Sequence, residues 1–207
     1  MNLIHLFFLV WTSLYGDTSL NEGIHLCQHL HEDAQKLTNE SLLADEAKAE
    51  RVINWSPNQK LDWNDFQGSP HPKYPNIAAL TYSSIVYKYH CENGALNIDV
   101  EANFRINDSW VRPEAMNHYY LNHEQLHFDI TELYARKFRE AVGNRVFACD
   151  QVEAFEVIAE NVLDEWRKIE QKYDLETHFS HDLEMQEEWY TYIHDQMTDY
   201  RAYAMIE

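Results

Sequence analysis

The hydrophobic period changes once along this chain, and that change limits the folds open to it. Leu96, Ile98, Val100, Ala102, Phe104 and Ile106 alternate strictly with other residues. A period of two makes a strand with one face buried and one wet. The stretch before it, Ala78 to Tyr89, is rich in Tyr, Ile and Val, and Glu92-Asn93-Gly94 between the two reads as a turn. Two or three antiparallel strands are therefore expected. From Pro113 onward the period becomes helical. Residues 115–141 read as one long helix, stopped by Gly143-Asn144. A second helix is expected from Asp150 to about Lys172, with Val152, Phe155, Ile158, Ala159, Val162 and Trp166 at helical spacing. A third runs from Asp182 to about Met197. Strands first and helices afterwards predict an α+β domain: a small antiparallel sheet followed by three helices.

The ends and the charge narrow the function. Leu3 to Leu14 is an apolar run of signal-peptide length, too short to span a bilayer. Residues 1–16 are read as a probable signal peptide and the mature chain as exported, periplasmic or secreted. The competing reading is a buried N-terminal helix or strand. Residues 17–55 read as a polar, helical leader and residues 56–207 as the folded domain. No later stretch suits a membrane helix. Asp and Glu number 35 against 16 Lys and Arg, a formal net charge of −19. Such a chain does not suit nucleic-acid phosphates or anionic lipid, which are held by Lys and Arg. Three cysteines leave one over if a disulfide forms. Cys91 ends a predicted strand and Cys149 opens a predicted helix, and these two are the preferred pair. The alternative is three buried thiols.

His123-Glu124-Gln125-Leu126-His127 is an H-E-x-x-H motif inside the first long helix. Residues i and i+4 project from one helix face, so two imidazoles can share one metal ion. Glu124 lies about 100° round and can reach a water on that metal. With twelve His in the chain, chance alone gives about 0.07 such pentapeptides, so the letters need their context. On a helical wheel Met116, His127, Ile130, Tyr134 and Phe138 fall near His123, and Gln125, Asp129, Glu132, Arg136 and Glu140 fall opposite. The two histidines thus sit mid-stripe on an apolar face. A lone His there is usually a satisfied core residue, but two, one turn apart, are costly to bury without partners. One shared metal satisfies both.

Zinc fits best: two imidazoles, a third protein ligand and a water are its usual catalytic set. Its water ionises near pH 7, Glu124 serves as general base, and hydroxide attacks a carbonyl. The third ligand is sought in Tyr173-Asp174-Leu175-Glu176-Thr177-His178-Phe179-Ser180-His181. His178 and His181 come first because imidazole suits zinc. Asp174 stands beside them, and Glu153, Glu156 and Glu160 are the fallback. Each has a plainer role as a surface residue or helix cap. Tyr173 can donate to an oxyanion, or simply pack.

These residues resemble a known family, the bacterial domain of unknown function nine-two-two, regarded as secreted zinc-dependent peptidases of the zincin type. The core of the likeness is His123-Glu124-Gln125-Leu126-His127-Phe128-Asp129-Ile130, with Thr131-Glu132 and Tyr134-Ala135-Arg136. Further blocks are Leu61-Asp62-Trp63-Asn64-Asp65-Phe66-Gln67-Gly68, Ala78-Ala79-Leu80-Thr81, Phe104 with Ser109-Trp110, and Tyr173-Asp174 with Thr177, Ser180, Gln186 and Trp189. The resemblance implies a zincin-like fold, one zinc ion held by His123 and His127, and a peptide or protein substrate. The family pattern has His two residues after the threonine of the last block. This chain has Phe179 there, with His178 and His181 nearby. Three readings then compete: a zinc peptidase, a metal-binding or interaction domain without turnover, and a metalloenzyme cutting a non-peptide amide.

Overall fold

The computed structural model describes residues 3–10, 51–73 and 75–205. Most of the expected leader, residues 17–50, lies outside them. Two long strands dominate the sheet, β4 (Tyr82–Glu92) and β5 (Ala95–Arg105). They form a hairpin around Asn93-Gly94, whose φ values are 52° and 83°. Two consecutive left-handed residues make the hairpin turn whose twist matches its strands, and Asn-Gly is the pair that tolerates it best. Two shorter strands flank the hairpin. β1 (Leu3–Val10) lies antiparallel to β4, and β2 (Val52–Asn54) antiparallel to β5, giving the order β1-β4-β5-β2. Leu3–Val10 of the N-terminal apolar run forms that strand, and residues 11–14 of the run lie outside the described residues. Val52–Asn54 was assigned by sequence to the leader, yet it pairs with the sheet. β3 (Ala79–Leu80) and β6 (Trp110–Val111) make a separate small ladder. Gly68 is anchored beside it, donating to the Ser109 carbonyl at 2.7 Å. A Cβ at Gly68 would stand 2.8 Å from that oxygen, so only glycine fits.

Three helices follow: α1 (His118–Gly143), α2 (Val152–Glu176) and α3 (Leu183–Asp199). Asn117 caps α1 by accepting from the Tyr119 and Tyr120 amides, both at 3.0 Å. The start falls later than the sequence suggested because Pro113–Ala115 forms a separate 3-10 turn. α1 packs on β4 and β5 and also meets α2 and α3. Tyr87, Phe138 and Phe155, one from each of β4, α1 and α2, meet with ring centroids 5.4 to 5.9 Å apart. Such aromatic groups bury large areas and fix the layers against each other. Cys91 and Cys149 are disulfide-bonded, tying the end of β4 to the loop before α2.

α1 is wrapped on nearly every side. Asp129, Glu132 and Arg136, opposite the histidines on the wheel, are buried as well. The reason is cover from the N-terminal segment and α3. Trp55 and Lys60 reach Asp129 at 2.7 and 3.1 Å, and Arg136 donates to the Met197 carbonyl at 2.8 Å. No helix among the described residues is long and apolar enough to cross a membrane.

Candidate metal centre

Three side chains converge beneath α1. His123 and His127 project from consecutive turns of that helix, and Asp174 reaches them from the last turn of α2. His123 Nε2 lies 3.0 Å from Asp174 Oδ1, His127 Nε2 lies 3.2 Å from the same oxygen, and the two Nε2 atoms are 3.2 Å apart. All three residues are at most 1% exposed.

The outward nitrogens decide what the inward ones carry. His127 Nδ1 is 2.6 Å from Glu170 Oε2, and an ionised carboxylate only accepts, so Nδ1 donates. His123 Nδ1 is 3.0 Å from Gln186 Oε1 and donates there. With both rings neutral, the Nε2 atoms face the centre as lone pairs, together with a carboxylate oxygen. Three acceptors 3.0 to 3.2 Å apart repel unless a cation joins them. The triangle fits a metal: tetrahedral zinc with bonds of about 2.0–2.1 Å spaces its ligand atoms about 3.3 Å apart. Asp174 Oδ2 is also buried with no hydrogen-bond partner among the described residues. Without a metal, a proton fills the gap. Burial opposes it, but Asp174 and then Glu170 overcome burial and push His127 up to about 10.

Glu124 lies beside this group, 1% exposed. Burial raises its carboxyl above the ordinary range, against the pull of His127, His123 and the Thr81 hydroxyl. Thr81, immediately after β3, donates to the Glu124 carbonyl at 3.1 Å and so docks the small ladder on the motif. Tyr173 does not aim its hydroxyl at the centre. Its ring stacks on His123, with centroids 4.6 Å apart, while its hydroxyl meets Gln186 and the His123 carbonyl.

His178 and His181, the histidines favoured for the third position, stay outside the group. The end of α2 explains why. The His178 amide donates to the Leu175 carbonyl and the Phe179 amide to the Asp174 carbonyl, closing the helix with a left-handed cap. His178, Phe179 and Ser180 have φ of 48°, 54° and 72°. His178 is spent as a turn residue; its side chain is 70% exposed and faces Asp182 at 3.7 Å. His181 is exposed before the α3 cap, Asp182. The same cap holds the Asp174 backbone in place. Of the fallback carboxylates, Glu153 and Glu160 are exposed and Glu156 lies against Tyr89. Glu170 goes unnoticed in the sequence, and Gln186 stands there only as part of the family likeness. The signal for Glu170 was present: Phe155, Ala159, Leu163, Trp166, Glu170 and Tyr173 form one buried stripe, and a carboxylate stands in it.

Fold and site together define an α+β protein with an H-E-x-x-H helix and a buried His-His-Asp group. Residues 77–182 match the family described as bacterial protein of unknown function (DUF922), and the chain belongs to it. No curated protein and no solved structure was found to match.

Proposed function

We propose that this protein is a zinc-dependent hydrolase of the zincin type that cleaves peptide bonds. One observation carries the reading: ligand atoms of His123, His127 and Asp174 converge in a buried group that could hold a metal ion, and Glu124 stands next to them. Bound zinc would supply an ionised water near neutral pH and a Lewis acid for the carbonyl. His123, His127 and Asp174 would hold the ion. Glu124 takes the proton of the attacking water and returns it to the leaving amine. Its burial supports that role, because a carboxyl raised above the ordinary range accepts a proton more readily than an exposed carboxylate does. The Cys91–Cys149 disulfide supports work in an oxidising compartment, in line with export.

A second reading has its own support. His123, Glu124, His127 and Asp174 are all at most 1% exposed, as in structural metal sites that are closed to water. That reading makes the protein a metal-binding interaction domain. Glu124→Gln separates the two. Purified wild type and variant should each carry about one zinc by elemental analysis. On a broad peptide library the wild type should cleave, and the variant should lose about 100-fold or more of that rate. Equal inertness of two zinc-loaded proteins would favour the interaction domain.

A further inference from the structure

Glu170 is the charged group that the proposed chemistry leaves unused. It is fully buried on the apolar stripe of α2. A buried carboxylate is expensive, and a Gln or Leu would fill the same stripe at less cost. Its two oxygens are divided. Oε1 is held by Trp166 Nε1 at 2.8 Å, with the Thr131 hydroxyl at 3.4 Å. Oε2 is left for His127 Nδ1 at 2.6 Å. Thr131 is itself tied to Ser83 at 2.7 Å and to the His127 carbonyl at 3.0 Å, so β4, α1 and α2 all brace the carboxylate. The corresponding partner of His123 is weaker. Gln186 is neutral, sits at 3.0 Å, and shares its amide with the Tyr173 hydroxyl. A charged acceptor makes roughly twice the hydrogen bond of a neutral one.

We propose that Glu170 is the positioning residue of this centre, locking His127 with Nδ1–H outward and Nε2 toward the cation, while Gln186 does the same for His123 less firmly. This rests on the metal reading above. An imidazole with neither nitrogen fixed can present the wrong nitrogen or a proton to the ion. The contact removes that freedom from His127 before any metal arrives.

The test uses the full chain as wild type, Glu170→Gln, Glu170→Ala and Gln186→Ala. Zinc affinity is measured by chelator competition, the visible spectrum is recorded with cobalt(II) alone, and melting of the metal-free forms is followed separately. Glu170→Ala should lower zinc affinity about 10- to 100-fold. Glu170→Gln keeps the shape and should lose less, and Gln186→Ala should lose less than Glu170→Ala. The cobalt bands should shift in the Glu170 variants. Unchanged zinc affinity and cobalt spectrum in both Glu170 variants would overturn the assignment, even if they melt lower, because that pattern is purely structural. If Glu170→Ala does not fold, the near-isosteric Glu170→Gln decides alone. A wild type that binds no zinc would bring down the metal reading itself, which is a different result.

Discussion

Two polar clusters are buried on opposite sides of α1, and they differ in how their hydrogen bonds add up. On the far side Asp129 receives Trp55, Gln125 and Lys60, and Glu132 receives Arg136 and Arg139. Arg136 spends a further donor on Met197, and Arg139 spends its own on Val100 and Tyr203. Every acceptor there faces a donor. On the near side nitrogens of His123 and His127 and one oxygen of Asp174 crowd within 3.0 to 3.2 Å of one another, with no donor side chain from another described residue among them. Burial of charge is common to both and tells nothing. The crowding of ligand atoms marks the side that could hold a cation.

The largest expected effect follows from that contrast. Asp174→Ala should abolish zinc binding, read by elemental analysis and chelator competition, with the fold retained by circular dichroism. Asp129→Ala should do the reverse. Zinc affinity should be unchanged, while unfolding free energy in urea falls by about 1–3 kcal/mol, because Trp55 and Gln125 lose a buried acceptor, whereas half-exposed Lys60 stays solvated. Zinc loss in Asp129→Ala with full binding in Asp174→Ala would invert the comparison and break it.

How far the residues announced this arrangement depends on the range of the interaction. The strands, the Asn93-Gly94 turn and the three helices follow from local periodicity and turn chemistry, which act within a few residues. The His123, Glu124 and His127 set was legible for the same reason: one helix turn brings it together. The partner from α2 was not. Asp174 and His178 both lie near the helix end, and only the left-handed cap at 178–180 decides which turns inward. Imidazole chemistry pointed to His178 and His181, and backbone geometry overruled it. The far cluster was also hidden, since Asp129, Glu132 and Arg136 look like a solvated face until Trp55, Lys60 and α3 close over them.

A smaller effect is set by protons. His127 is raised from 6.5 to about 10 in the metal-free fold, against burial, by Asp174 and Glu170. A raised folded value means tighter proton binding when folded. The stabilisation is complete below about pH 6.5 and disappears as pH rises through about 10. Glu124 and Glu170 are raised mainly by burial, and they add in the same direction. Metal-free protein should therefore melt progressively lower across that window. Zinc replaces the proton, so the zinc-loaded protein should show a flatter profile, and zinc affinity should rise with pH. Parallel melting curves with and without zinc would sever the link between His127 and the metal. Asp129→Ala should leave the difference between the two curves intact.

The smallest effect tests the turn that sorts the ligands. His178→Ala and His181→Ala should leave zinc affinity unchanged within about twofold, as surface substitutions do. His178→Gly is more telling. Its φ of 48° strains any residue with a Cβ. Glycine relieves that strain and gives back part of it in unfolded-chain entropy, so stability should rise by up to about 1 kcal/mol. A ligand changed to glycine would instead lose the metal and the stability that comes with it. A zinc-bound His178→Gly protein that melts at or above the wild type therefore places His178 in the backbone turn, and a zinc-free one that melts lower would return it to the coordination sphere.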